Sequence, residues 1–292
     1  MSVINAECLS NKDQFLSLVA EKLGRCPIDF TETMNFIRRT RNDREVHSAA
    51  GVLLLLHYRG NDKAPTGAEG EFIFQLIKRS ASVAQPGDIS CPGGMLHAFV
   101  DPVLSPLMSA GIIPVLKGDP LRYARLRDRE TFRIIRLLLA NAVREAWEET
   151  RLSPWNIFFL GPLPSYSLIL FRRTIFPLVG FAKRDWRFCP SSEVERIIEI
   201  PVKAFLDGRN YALYNVETAS GLKTVRERPR QFPCLITRDE RGKEEVLWGA
   251  TFYIIMSFLK IVFDFKIPEM PARRVINRTL GLEYLTGHQE KC

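Results

Sequence analysis

A helical segment of 21 residues, Glu130 to Thr150, constrains the fold of this 292-residue chain more than any other feature. Its apolar residues recur at helical spacing and are expected to form the face that packs on a core: Leu139, Ala140, Val143 and Trp147. At about 100° per residue, three glutamates fall within an arc of about 100° on the other side: Glu145, Glu148 and Glu149. The segment is therefore predicted to be an amphipathic helix with a carboxylate face.

Three carboxylates on one helix face repel one another unless a positive charge lies among them. A hard divalent cation such as Mg²⁺ or Mn²⁺ takes oxygen ligands and would remove that repulsion, which makes the three glutamates candidate metal ligands. A solvated helix face, with Arg144 as the counter-charge, explains the same spacing. The spacing alone favours this second interpretation.

The rest of the chain predicts a mixed sheet. Apolar, β-rich runs at 51–58 and 71–78 are separated by the polar stretch 59–70, which is typical of a hairpin loop. Further strands are expected at 87–90, 157–163, 174–181, 197–200 and 232–237, and further helices at 13–23, 201–206 and 247–263. Strands and helices mix without a regular βαβ order, which favours an α+β fold with helices on both faces of a mixed β-sheet.

The expected organisation has three parts. An N-terminal helical segment spans 1–45, a main domain spans 46–265, and a C-terminal tail spans 266–292. Within the main domain, four prolines and the lack of a steady period mark 95–129 as an insertion, which is a solvated, partly disordered loop by default.

Composition narrows the class of protein. With 46% apolar and 25% charged residues, the chain is expected to be globular rather than disordered or collagen-like. No apolar run approaches the roughly 20 residues that span a bilayer, and no secretory signal is visible, so no membrane interaction is expected. Six scattered cysteines without a C-x-x-C pair favour a cytoplasmic location over a disulfide framework or a zinc site. The net charge of +8 favours an anionic partner, and a phosphorylated small molecule fits as well as nucleic acid.

Upstream of the helix lies the sequence Pro92-Gly93-Gly94, and the helix itself carries Arg144-Glu145-x-x-Glu148-Glu149. Together they resemble the Nudix box, G-x5-E-x7-R-E-U-x-E-E-x-G-U, in which U is a bulky apolar residue. The resemblance implies the Nudix fold, an α/β/α sandwich, and a hydrolase whose helix glutamates hold Mg²⁺ or Mn²⁺ while water attacks a diphosphate. It also implies that Arg144 orients the glutamates by ion pairing, and that Gly93 and Gly94 form a tight turn that brings backbone amides near phosphate.

An ordered set of further segments is similar to the coenzyme A pyrophosphatase branch of that family: 76–80, 87–94, 160–164, 176–180, 193–194, 199–201 and 248–251. This resemblance implies cleavage of coenzyme A or an acyl derivative to 3′,5′-ADP and a 4′-phosphopantetheine species. In relatives the loop of Glu193 faces the active end, which makes Glu193 a candidate general base; a plain exposed carboxylate is the alternative. Arg79 is either a ligand of a substrate phosphate or a surface arginine at a strand end.

Three positions depart from the box. Gly94 and Arg144 are separated by 49 residues, whereas the box has 13. Arg136 stands where the box has its first glutamate, and Asp101 and Glu130 are the candidates to replace that carboxylate. Arg151 stands where the box has a glycine, a position at a helix end that often needs positive φ.

The insertion and the start of the helix carry seven basic residues: Lys117, Arg122, Arg125, Arg127, Arg129, Arg133 and Arg136. They are expected either to attract a multiply charged nucleotide or to belong to a solvated loop. A third possibility is an oligomer contact through the apolar residues Ile112, Ile113, Val115 and Leu116.

Three alternatives to a coenzyme A pyrophosphatase remain at this stage. One is a pyrophosphatase for another nucleoside diphosphate derivative, such as ADP-ribose or a dinucleotide. Another is a catalytically weak, nucleotide-binding module with a Nudix fold, which the missing glutamate and the split box suggest. Nucleic-acid binding rests only on net charge and comes last. Metal-dependent turnover would separate the enzymes from the module.

Overall fold

The computed structural model describes residues 9, 11–40, 46–60, 70–168, 171–218, 230–239, 242–267, 274–281 and 284. The helices are α1 (Lys12–Arg25), α2 (Phe30–Arg39), α3 (Val100–Ser109), α4 (Gly118–Leu126), α5 (Arg129–Thr150) and α6 (Gly249–Phe263). The strands are β1 (Ser48–Arg59), β2 (Glu71–Arg79), β3 (Ile89–Ser90), β4 (Gly93–Met95), β5 (Ile157–Pro162), β6 (Tyr166–Leu168), β7 (Arg173–Ala182), β8 (Val194–Pro201), β9 (Tyr211–Thr218), β10 (Arg230–Arg238), β11 (Glu244–Leu247) and β12 (Val275–Leu280). A 3₁₀ helix, Val202–Leu206, follows β8.

The main sheet is built around β1. This strand pairs antiparallel with β2, where Leu55 faces Gln75, and parallel with β7, where Leu53 faces Leu178. The strand order is β3-β2-β1-β7-β5, while β4 pairs with β1, β6 with β7 and β8 with β2. The sheet is therefore mixed, as the sequence predicts.

Both faces of this sheet are covered by helices. Leu54 and Leu56 of β1 point into a core that they share with Phe15 of α1 and Phe258 of α6. The neighbouring residues Leu53 and Leu55 point into the opposite core, which α2 and α5 close. Because alternate residues of a strand face opposite sides, one continuous apolar strand fills both cores. The α/β/α sandwich expected from the sequence is confirmed.

Residues 275–280 form β12, the edge strand of a second sheet. This sheet has the order β11-β10-β9-β12, and β12 runs parallel to β9 with Asn277 opposite Asn215. The strands β9, β11 and β12 were not predicted, nor were the three-residue strands β4 and β6, whereas α2 lies within the helical segment expected at 1–45.

The insertion is folded, so the expectation of a solvated, partly disordered loop is wrong. It forms α3 and α4, and the connection between them is partly buried. Pro102 and Pro120 lie in the first turns of these helices, where a missing N–H breaks no intrahelical hydrogen bond. Two of the four prolines of the insertion therefore mark helix starts, whereas Pro106 lies inside α3.

The apolar residues of the insertion also belong to the chain's own core. Ile113, Val115 and Leu116 are buried there, and only Ile112 of that group is exposed. An oligomer contact through these four residues is therefore wrong.

Helix α5 extends one residue beyond its predicted start. Asp128 caps its N-terminus by accepting a hydrogen bond from the Thr131 amide at 2.9 Å. Trp147 is 42% exposed and does not belong to the core face, which runs instead through Val143 and Ala146 at this end. At this end of the helix the buried face is therefore turned away from Trp147 and includes Ala146 and Thr150 instead.

No helix among the described residues is both long and apolar enough to cross a membrane. Cys26, Cys91, Cys189 and Cys234 carry free thiols. The other two cysteines, Cys8 and Cys292, lie outside the described residues, as do residues 61–69 of the predicted hairpin loop.

Candidate active site

A buried asparagine, Asn141, fixes helix α5 against the sheet. The side-chain oxygen of Asn141 accepts a hydrogen bond from the Gly51 amide at 2.8 Å, and its nitrogen donates to the Met95 carbonyl at 2.9 Å. A Cβ on Gly51 would lie 2.6 Å from the Asn141 oxygen, so only glycine permits this approach. The contact sets the register of α5 one turn before Glu145. Asn141 was not among the site residues predicted from the sequence, where its signal is an amide among apolar neighbours.

The glycine pair does not form a tight turn, so that expectation is wrong. Gly93 and Gly94 belong to β4 and pair with Val52 and Gly51 of β1. A Cβ on Gly93, which has a φ of +154°, would lie 2.5 Å from the Gly51 carbonyl oxygen, and a Cβ on Gly94 would overlap the Glu145 carboxylate. Gly93 is required because β1 lies directly against it, and Gly94 is required because Glu145 of α5 lies against it.

Asp101, Glu145, Glu148 and Glu149 form what we call the carboxylate cluster. Arg144 forms ion pairs with three of its members. Its guanidinium donates to Asp101 at 2.8 Å, to Glu145 at 2.9 Å and to Glu148 at 2.8 Å. Burial lowers the pKa of Arg144, but the hydrogen bond to Asp101 and the charges of Glu145 and Glu148 outweigh it and raise the pKa. The predicted ion pairing of Arg144 with the glutamates is therefore present in the structure.

Of the two candidates for the missing box carboxylate, Asp101 is the one that lies at the cluster. Its side chain is fully buried, and it holds both the Arg144 guanidinium and the His97 amide, the latter at 2.7 Å. Glu130 instead pairs with Arg38 and Arg133 at the start of α5. At 1.5 Å per residue, Glu130 lies about 22 Å along the helix from Glu145.

Glu149 is the most strongly perturbed carboxyl group of the cluster. It is 5% exposed, and one of its oxygens accepts a hydrogen bond from the Gly93 amide at 3.0 Å. Burial raises its pKa to about 8 against the opposing hydrogen bond from Gly93, and the charges of Glu145 and Glu193 raise it further, whereas that of Arg79 lowers it. Burial also raises the pKa of Glu145. At both carboxyl groups burial therefore outweighs the nearby cation, which is Arg144 at Glu145 and Arg79 at Glu149.

Arg79 and Glu193 lie on the Glu149 side of the cluster, where the charges of both act on the Glu149 carboxyl group. Arg79 ends β2, Glu193 precedes β8, and the Ser80 amide donates to the Glu193 carbonyl at 2.9 Å. The Ser191 amide donates to the Glu149 carbonyl at 3.0 Å, which ties the loop before β8 to the end of α5. All eight site residues predicted from the sequence thus lie in one region of the molecule.

The donor set fits a hard divalent cation. Mg²⁺ is usually held by one or two carboxylates and completes its shell with water and substrate phosphates. Glu145 and Glu149 lie on adjacent turns of α5. One oxygen of Glu145 accepts a hydrogen bond from Arg144, and one oxygen of Glu149 accepts a hydrogen bond from the Gly93 amide. No three His, Cys, Asp or Glu side chains converge on one point within the described residues. Glu148, which is 53% exposed and turned to Arg144, is the outer member of the predicted set.

The basic residues of the insertion are not gathered at this cluster. Arg127 donates to the carbonyls of Leu23, Gly24 and Cys26, at 3.2, 3.0 and 2.8 Å, and so closes the C-terminal end of α1. Arg122 pairs with Asp119 on the surface of α4. Helix α4 precedes the start of α5, the end remote from Glu145, so the expectation that these arginines attract the nucleotide lacks support in the structure.

No protein-family model matches the sequence, and no curated protein matches it. Among solved structures, the chain is similar to an Ap4A hydrolase from C. elegans in a binary complex, with 12% identity over 53% of this chain and 81% of that chain and a TM-score of 0.33. It is also similar to a NUDIX hydrolase from Alicyclobacillus acidocaldarius, with 13% identity, coverage of 54% and 80% and a TM-score of 0.34. A third similar structure is the NUDIX domain of Shewanella oneidensis NrtR complexed with ADP ribose, with 14% identity, coverage of 60% and 86% and a TM-score of 0.32.

Proposed function

We propose that this protein is a Nudix-type hydrolase that requires Mg²⁺ or Mn²⁺ and cleaves the diphosphate of coenzyme A or an acyl-coenzyme A. The observation that carries the proposal is the carboxylate pair on adjacent turns of α5, the buried Glu149 and the part-buried Glu145, which the nearby arginines neutralise only in part. The choice of substrate rests on the ordered sequence segments that resemble the coenzyme A pyrophosphatase branch. The expected products are 3′,5′-ADP and a 4′-phosphopantetheine species.

A bound divalent cation would neutralise phosphate oxygens and lower the pKa of the attacking water. Glu145 and Glu149 would hold this cation, and Glu148 would supply a further carboxylate from the solvent side. Arg144, fixed by Asp101, keeps Glu145 and Glu148 in orientation.

Glu193 lies beside Glu149 on an exposed loop, where its carboxylate can accept the proton that the attacking water releases. A new bond forms between the water oxygen and one phosphorus, and the bridging P–O bond breaks. Each half of the substrate leaves as a phosphate monoester.

The test incubates the purified protein with Mg²⁺ or Mn²⁺ and a panel of diphosphates, with products identified by mass. Coenzyme A and acetyl-coenzyme A are expected to react faster than ADP-ribose or a dinucleotide. Glu149→Gln keeps the size of the side chain and removes a ligand charge, so turnover should fall by at least about 100-fold. Glu32→Gln, an exposed change on α2, is the matched control and should retain the rate.

Two results would overturn parts of the proposal. If ADP-ribose is cleaved faster than coenzyme A, the assignment of coenzyme A as the substrate is refuted, but the proposed hydrolase activity still stands. Tight nucleotide binding without metal-dependent turnover would identify a binding module instead of an enzyme.

A further inference from the structure

Arg173, the first residue of β7, has a side chain without a hydrogen-bond or ion-pair partner in the part of the chain that the structure describes. The strand after it is buried from Thr174 to Ala182, and Arg173 itself is half-buried at the strand's entrance. Its Nε atom is buried and has no hydrogen-bond partner, and no ion pair of its guanidinium is found among the described residues. A guanidinium carries five N–H donors, and leaving them buried without acceptors is unfavourable.

The Nε atoms of Arg127 and Arg136 are also buried without a partner, but the terminal nitrogens of both guanidinium groups are engaged by the protein. Arg127 donates to three backbone carbonyls, and Arg136 donates to the Ser109 hydroxyl. Arg173 differs from both because none of its guanidinium nitrogens has an acceptor among the described residues.

A second arginine lies beside it. Burial and the positive charge of Arg79 both lower the pKa of Arg173, so the two guanidinium groups are close enough to repel each other. The Nε of Arg79 donates to the Ala84 carbonyl at 2.8 Å, which fixes the base of its guanidinium. The charge of Arg79 also acts on Glu149. Arg79 is thus within electrostatic reach of both the carboxylate cluster and Arg173.

The sheet topology explains why these residues meet. Strand β7 runs parallel to β1, so Arg173 lies opposite Ser48 at the beginning of β1. Strand β2 runs antiparallel to β1, so Arg79, its last residue, lies toward the same end. The carboxylate cluster borders this end through β4, which pairs with β1 at Gly51 and Val52.

We propose that Arg79 and Arg173 together bind one phosphate group of the diphosphate substrate beside the carboxylate cluster, which makes Arg173 a substrate-binding residue. The inference rests on the proposed function for the identity of the ligand. A phosphate supplies acceptor oxygens to both guanidinium groups and removes their mutual repulsion, and the planar fork of arginine matches phosphate geometry.

Binding of inorganic pyrophosphate in metal-free buffer, measured by titration calorimetry, tests the site without requiring turnover. Arg173→Gln and Arg79→Gln are each expected to weaken binding at least tenfold. Arg173→Lys keeps the charge but loses the fork, and its affinity should fall between those of the wild type and Arg173→Gln. Arg184→Gln removes one exposed positive charge just beyond the opposite end of the same strand, and should change affinity less than twofold.

The thermal midpoint in phosphate-free buffer separates this role from a structural one. Removing an unpartnered buried charge should leave the midpoint of Arg173→Gln unchanged or raise it, whereas loss of a structural arginine would lower it. Wild-type affinity in Arg173→Gln, or no pyrophosphate binding by the wild type, would overturn the inference. The protein could also bind pyrophosphate through Arg173 and show no metal-dependent turnover. That result would refute the proposed hydrolase activity but support the proposed anion site.

Discussion

The Arg144 guanidinium pairs with the fully buried carboxylate of Asp101. It also pairs with Glu145 and Glu148 at the edge of the cluster. Because Asp101 takes up part of the positive charge of Arg144, the two glutamates remain available to a cation. We therefore expect Asp101 to act as a positioning residue through Arg144.

Asp101→Asn is expected to lower turnover by about 10- to 100-fold, the range seen when the partners of metal ligands are removed. The metal concentration for half-maximal activity should rise as well, because Arg144 would then bind Glu145 and Glu148 more strongly and compete with the cation. Steady-state rates over a metal titration measure both effects. Glu130→Gln removes a carboxylate at the far end of α5 and should alter neither quantity; equal effects of the two variants would contradict the assignment.

The metal-free protein is expected to lose stability as the pH rises from about 5 to about 8. Burial raises the pKa of Glu149 from 4.5 to about 8, so the folded protein binds this proton more tightly than the unfolded chain does. The stabilisation is fully present below the unfolded pKa and is lost as the pH rises through the folded pKa. Urea unfolding at a series of pH values measures the slope.

Glu149→Gln has no proton to lose at this position, so its free energy of unfolding should depend less on pH over the same range. Glu32→Gln should keep the wild-type slope. Parallel curves for Glu149→Gln and the wild type would show that Glu149 titrates near its ordinary pKa.

At the scale of the elements, helix α5 ends at Arg151, whose backbone adopts the left-handed conformation. Arg151 has a φ of 58° and a ψ of 24°, and its amide donates to the Trp147 carbonyl at 2.9 Å. The position where the Nudix pattern has glycine therefore does adopt positive φ in this chain. The Arg151 guanidinium lies 5.6 Å from the centre of the Trp147 ring, which offsets part of the conformational strain.

Arg151→Gly should be about 1 kcal/mol more stable than Arg151→Ala, because both variants lose the ring contact and only glycine adopts this conformation without strain. The comparison between the two variants isolates the backbone term from the side-chain contact. Free energies of unfolding from urea titrations provide the measurement. Equal stability of the two variants would mean that the end of α5 changes conformation when the arginine is lost.

At the scale of the whole molecule, the C-terminal strand closes over the loop that follows β2. Arg278 of β12 pairs with Asp88 at 2.9 Å, and its guanidinium also donates to the Pro86 carbonyl at 3.0 Å. Trp248 donates to the same aspartate at 3.2 Å, and the hydroxyl of Tyr284 contacts it as well. These contacts join the second sheet to the segment between Arg79 and the glycine strand.

Arg278→Gln should lower the free energy of unfolding by about 1–3 kcal/mol, because the largely buried Asp88 carboxylate loses its cation. Arg238→Gln is the matched control, since Arg238 pairs with Glu244 at a highly exposed position. That change should cost less than about 0.5 kcal/mol, as is usual for a surface ion pair. Equal losses in the two variants would show that the contact to Asp88 does not anchor the strand.

The sequence by itself determined the features that depend on local spacing. The periodicity of 130–150 predicts α5 and its glutamate face, and the apolar runs at 51–58 and 71–78 predict the central strands because a strand buried on both faces must be apolar throughout. The resemblance to the Nudix box adds Arg144 and the glycine pair. These inferences need only neighbours along the chain.

The tertiary structure decided which residues distant in sequence lie beside Arg144 and the glutamates of α5. Asp101 and Glu130 are equally plausible replacements in the sequence, and only the packing of α3 on α5 brings one of them to Arg144. Arg173 meets Arg79 because one strand runs parallel and the other antiparallel to β1, a choice that strand patterns do not encode. Charge interactions depend on distance through space, so the partners of an ionised group become known only when the chain is folded.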